Sequence, residues 1–176
     1  EEPNGDFPTV ASPNPEERSA LAMAIDLAKE KDAELVMGTD PDTDRIGLAV
    51  KDDKANWVLL NGNQAGSILV NYLLENLDES LASTSFVCKT IVTTELIENI
   101  AQAYGVPLGK VITSTYSDGE FQPSFEESVR GTRVFLIGST NPGPENLMEL
   151  LLMLDAAKRA SARHITAVIP YFGWAR

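Results

Sequence analysis

The sequence predicts an α/β fold in three layers, a mostly parallel sheet flanked by helices. Three observations carry that prediction. Short apolar runs recur along the chain, at Glu34–Met37, Ile46–Val50, Trp57–Leu60, Phe86–Val92, Val111–Thr115, Val134–Ile137 and Ile165–Ile169. Stretches with helical spacing of apolar residues separate many of them. No Gly-, Ser- or Pro-rich linker divides the 176 residues, so a single domain (1–176) on one continuous sheet is expected.

Asn14-Pro15-Glu16-Glu17 opens the first helix, with Asn14 as cap, Pro15 in the first turn and Glu17 placed to reach back. Leu21, Ile25 and Ala28 mark its buried stripe, down to about Lys31. The strand at Glu34–Met37 stops at Gly38, and an acidic loop over 39–45 leads into Ile46–Val50. Lys51-Asp52-Asp53-Lys54 reads as a turn before the apolar Trp57–Leu60. Asn61 and Gln64 form a capping pair for a helix to about Leu77, with Ile68, Leu69, Tyr72 and Leu73 facing inward.

Phe86–Val92 is a buried strand. Thr93 or Thr94 caps the helix after it, and Glu95 suits its positive end. Leu96, Ile97, Ile100, Ala101 and Tyr104 fall on one stripe; Gly105 takes the left-handed closing position and Pro107 bars continuation. Val111–Thr115 is a strand, followed by a turn at Ser117-Asp118-Gly119-Glu120. Val134–Ile137 is a continuous apolar strand of the kind buried on both faces. Pro144-Glu145 opens a long helix, apolar on most sides from Leu147 to Leu154 and ending near Ala162, before the last strand at Ile165–Ile169. Ile137, Leu147, Leu151, Leu154 and Val168 are expected to bury against Ile68, Leu73, Val87 and Ile91.

A net charge of −12 argues against nucleic-acid binding, which leans on Lys and Arg. The single cysteine, Cys88, excludes an internal disulfide and fits a reducing compartment. On an apolar strand it reads as a small core hydrophobe rather than a nucleophile. No apolar run approaches the ~20 residues needed to cross a bilayer, and no signal peptide opens the chain. A soluble, cytoplasmic protein without a membrane partner is expected, as monomer or homodimer. The start at Glu1-Glu2-Pro3 reads as a cut fragment. His164 reads as a surface connector, and Trp57 and Trp174 as packing residues.

Asp40, Asp42 and Asp44 place three carboxylates in an alternating pattern, which by spacing alone is a solvated acidic turn or a hard-cation site. The wider string GTDPDTDRIG, with FPTVASPNPEE before it and LNGNQAGSILVNYLL after it, resembles the phosphoglucomutase/phosphomannomutase (phosphohexomutase) family. The resemblance runs over residues ~1–107 and implies Mg²⁺ on Asp40, Asp42 and Asp44, with Arg45 approaching a phosphate. Ala11-Ser12-Pro13 matches the opening of that family's second domain better than its phosphoserine loop, so Ser12 reads as a loop residue. Lys89, in VCKTIVTT, reads as a strand-edge lysine. Without the phosphoserine, only weak Mg²⁺ binding is expected, and no cofactor is required.

GVPLGKV, YSDGE, ESVRG, NLMELLLMLDAAKRASA and ITAVIPYFGWAR resemble the N-terminal part of ribose-phosphate pyrophosphokinases, over residues ~105–176. That resemblance implies adenine contact by Tyr116, Asp118 and Glu120 to ATP on a neighbouring subunit. It also implies a regulatory phosphate site at Ser128 and Arg130, and half of a nucleotide motif at Arg176. An aromatic ring with carboxylates facing an exocyclic amine is sensible purine chemistry, while a plain Ser-Asp-Gly turn explains the same residues. The catalytic and ribose-phosphate loops that the family carries after this stretch read as absent.

Two incomplete motif sets joined near 107/108 read as an engineered chimera, a scaffold with a recombined topology and no catalytic turnover. The alternatives are a weak Mg²⁺- or phosphate-binding module, and residual phosphohexomutase-like or pyrophosphokinase-like activity.

Overall fold

The computed structural model describes residues 4–43, 45–90, 93–140 and 143–174. They form a mixed α/β structure that divides into two compact units, residues 1–65 with 171–176, and residues 66–170. Ile91, Asp44 and Arg176, all named above, lie outside the described residues.

In the first unit, α1 (Arg18–Glu30) covers one face of a three-stranded antiparallel sheet of β1 (Leu35–Thr39), β2 (Ile46–Lys51) and β3 (Trp57–Leu60). Leu21, Ile25 and Ala28 are buried as the periodicity predicts, against Val36, Ala49 and Trp57. Gly47 fits beneath the Pro15 carbonyl, where a Cβ would come within 2.0 Å of the oxygen. The helix starts later than expected. Asn14 accepts from the Glu16 amide and so closes a turn ahead of the helix, while Glu17 sits at the N-cap without a capping bond, its Oε1 reaching back to accept from Asn14 Nδ2 at 3.4 Å. Arg18 ties the first helical turn to β3, its Nη1 donating to the Trp57 carbonyl at 2.9 Å.

The second unit is the layered one. It begins within α2 (Gly62–Glu75), whose capping pair forms as predicted: Asn61 and Gln64 exchange backbone-to-side-chain bonds of 2.9 Å. A short α3 (Glu79–Ala82) follows, capped by Asp78, which accepts from the Ser80 amide and hydroxyl. Then come β4 (Ser85–Lys89), α4 (Leu96–Ala103), β5 (Val111–Thr115), β6 (Phe121–Phe125), β7 (Arg133–Ile137), α5 (Pro144–Arg159) and β8 (His164–Val168). The parallel sheet has the order β4-β7-β8, with β7 central and buried from Val134 to Ile137.

Alternation along the strands splits the core into two faces. Val87, Phe135, Ile137 and Val168 pack with Val70 and Leu74 of α2 and Ile97 and Ala101 of α4. On the other face Cys88, Val134 and Leu136 pack with Leu150 and Met153 of α5. β5 and β6 form a separate hairpin, Val111 opposite Phe125 and Thr115 opposite Phe121. The outer edge of β4 is bonded by the chain after α4: the Val87 amide donates to the Pro107 carbonyl and the Gly109 amide to the Val87 carbonyl.

The expected single sheet does not form; the described strands sort into three. The loop over 40–45 and the turn over 52–56 are too short for a parallel crossover, so β1, β2 and β3 return antiparallel. Several expected burials also fail, and Leu73, Leu147 and Leu154 are only half-buried. Leu151 and Ile68 are exposed, as are Leu69 and Tyr72, whereas Leu150, Met153 and Ala157 carry the buried stripe of α5. Trp174 is exposed as well, with a left-handed backbone.

Candidate functional site

The hairpin presents the expected nucleotide-contact residues. The Tyr116 amide donates to the Glu120 carbonyl at 2.7 Å, and the Gly119 amide donates to the Tyr116 carbonyl at 3.1 Å. Gly119 supplies the positive φ this tight turn needs. Asp118 accepts from the Glu120 amide at 3.1 Å, which fixes its carboxylate over the turn. The Tyr116 hydroxyl donates to Gln122 Oε1 at 3.0 Å and so holds the ring along the hairpin. Tyr116, Asp118 and Glu120 therefore share one tip, all of them exposed. Gln122 escaped the sequence reading, because its role depends on β6.

Ser128 and Arg130 flank the buried Val129 in the loop from β6 to β7, and both are exposed. Ser128 joins the wall of a cavity of about 340 Å³ beside Phe121, Phe125 and Arg159; Arg130 lies outside that wall. His164 opens β8 and is exposed. Lys89 ends β4 with its ammonium on Glu95 Oε1 at 2.8 Å.

Cys88 is fully buried on the α5 face of the sheet. Burial, with the Glu127 charge behind it, pushes its thiol up to about 12. A neutral, inaccessible thiol is a core residue, as the sequence suggested.

Of the acidic loop, Asp40, Asp42 and Arg45 are described. Asp40 points inward with no exposed side-chain surface, and it accepts from the Arg45 amide at 3.1 Å and from Arg45 Nε at 2.7 Å. Asp42 is exposed. Among the described residues no three carboxylate, imidazole or thiolate groups converge, and Asp44, the third ligand of the expected Mg²⁺ site, lies outside them. Arg45 thus pairs with Asp40 within the loop.

Comparison with known proteins gives two family matches. Residues 86–176 match the model of the N-terminal domain of ribose phosphate pyrophosphokinase, and residues 1–54 match phosphoglucomutase/phosphomannomutase, alpha/beta/alpha domain II. The first match takes in just over half of the chain, which therefore belongs to the ribose phosphate pyrophosphokinase N-terminal domain family. The match begins at residue 86, upstream of the 107/108 boundary expected from the motifs.

A ribose-phosphate pyrophosphokinase of Porphyromonas gingivalis is 63% identical over 81 residues, covering 46% of this chain and 26% of its own length. That of Chlorobaculum tepidum is 54% identical over 82 residues, covering 47% of this chain and 25% of its own. The chain thus spans about a quarter of the length of these curated relatives. A crystal structure of phosphoribosylpyrophosphate synthetase from Mycobacterium smegmatis aligns with a TM-score of 0.48 at 34% identity, over 53% of this chain and 32% of that one.

These relatives overturn the engineered, inactive scaffold. Identity of 63% to a named enzyme of a living organism points to a natural ribose-phosphate pyrophosphokinase-like protein, and the non-enzyme reading falls with it. No described helix is long and apolar enough to cross a membrane.

Proposed function

We propose, with the family membership as premise, that this chain supplies the nucleotide-contacting portion of a ribose-phosphate pyrophosphokinase. That enzyme would move pyrophosphate from ATP to ribose 5-phosphate and release AMP. The hairpin tip meets the adenine of ATP bound to a neighbouring subunit, Tyr116 stacking on the base and the Asp118 and Glu120 carboxylates accepting from its amine. Ser128 and Arg130 take a regulatory phosphate.

The observation that carries this reading is the tip itself. Three residues of the YSDGE string stand together, exposed, on a turn fixed by its own hydrogen bonds. A side chain meant to pack inside its own subunit has no use for that placement. The test is AMP formation from ATP and ribose 5-phosphate by the protein that carries this chain. AMP produced only when both substrates are present supports the reading; AMP formation independent of ribose 5-phosphate, or none, contradicts it.

A further inference from the structure

A second polar site lies along the strand that leads to the hairpin tip. We propose that the cavity of about 440 Å³ bounded by the end of β4, by β5 and by α5 binds a small phosphorylated polyol. Lys89 and Thr90 would hold its phosphate, and Glu149, Thr113 and Thr115 its hydroxyls.

Thr90 carries the inference. It is 3% exposed and lines the cavity. Its amide donates to the Ile137 carbonyl at 2.9 Å, and its carbonyl accepts from the amide and hydroxyl of Thr93. Only its hydroxyl oxygen, among the described residues, is buried without a partner. An orphaned buried hydroxyl is costly, and it is explained when something outside the chain completes it.

The neighbours define what that is. The Lys89 side chain is 13% exposed and spends one bond on Glu95, whose side chain is 77% exposed. An ammonium has three donors, so this pair leaves two and is easily exchanged for a ligand anion. On β5, Thr113 donates to Glu149 Oε1 at 2.7 Å. That leaves the second carboxylate oxygen and the Thr115 hydroxyl to meet ligand hydroxyls. Lys89 and Thr90 thus line the cavity where β4 ends, and Thr113, Thr115 and Glu149 line it from β5 and α5. A bare anion would face Glu149 and Glu95, and a neutral polyol would leave Lys89 and Thr90 unused. One molecule carrying both groups satisfies all of them.

Isothermal titration with glycerol 3-phosphate, inorganic phosphate and glycerol tests this. Glycerol 3-phosphate should saturate the protein, phosphate should bind roughly tenfold more weakly, and glycerol should give no saturable heat. Thr90→Val, nearly isosteric, should weaken glycerol 3-phosphate roughly tenfold yet melt no lower than wild type, because it removes the orphaned group. Lys89→Met should weaken binding and Glu95→Gln should tighten it. If Thr90→Val does not fold, the Lys89 and Glu95 variants carry the same decision. No saturable glycerol 3-phosphate binding, equal affinity for phosphate, or indifference to these substitutions would overturn the proposal.

Discussion

Asp40 and Arg45 show how a motif residue can be committed inside its own fold. The pair is 2.7 Å apart, with side-chain exposures of 0% for Asp40 and 14% for Arg45. The Asp40 carboxylate is fully withdrawn from water and accepts from the Arg45 amide and Nε, so losing its charge weakens bonds that no solvent replaces. Asp40→Asn should therefore destabilise the first unit by roughly 3 kcal/mol, read by denaturant titration, whereas exposed Asp42→Asn should be near neutral. Equal effects of the two would mean that the ion pair contributes nothing. Cys88 allows a second test. Its thiol is raised from 9.0 to about 12, so the neutral form stabilises the fold fully below pH 9 and that contribution is lost as pH rises toward 12. Between pH 8 and pH 10 wild type should lose about 1 kcal/mol more stability than Cys88→Ala. Parallel pH profiles would show the thiol to be solvated.

Among the elements, α5 separates the readable from the unreadable. Its start at Pro144 follows from the sequence, but a run apolar on most sides does not say which face turns inward. The structure settles on Leu150, Met153 and Ala157, the small Ala157 completing the stripe. Leu150→Ala should cost ~2–5 kcal/mol and Leu151→Ala no more than about 0.5 kcal/mol, compared by thermal melting. The reverse order would place the other face inward. In α2 the buried face is led by Gly66 and Ser67 because the helix lies close to Pro170, where a Cβ on Gly66 would come within 2.6 Å. Ile68 and Tyr72, larger and more apolar, drew the sequence reading to the wrong side. β6 was missed because Pro123 reads as a strand breaker; here it sits in a two-stranded hairpin, opposite Thr113. Gly109 repeats the theme of close approach: a Cβ there would meet Cys88 Sγ at 2.6 Å. Gly109→Ala should cost ~1–3 kcal/mol through that overlap, and an unchanged melting temperature would show that the bridge to β4 can yield.

For the whole molecule, the two-family composition was legible in short strings such as GTDPDTDRIG and YSDGE, and both families match. The number of sheets was not legible, because strand periodicity alone does not fix which strands pair. The cores keep to their units: Leu21, Val36 and Trp57 form one, while the two faces of the parallel sheet draw only on residues from Val70 onward. A fragment of residues 61–170 should accordingly melt cooperatively by circular dichroism, and a broad, featureless melt would contradict a self-sufficient core. In the proposed function the hairpin tip reads the nucleotide and not the sugar. The direct measurement is the pair of KM values for Tyr116→Ala in the protein that carries this chain. The ATP value should rise roughly tenfold, the loss expected for one stacked base, with the ribose 5-phosphate value unchanged. An unchanged ATP value, or an equal rise in both, would contradict it.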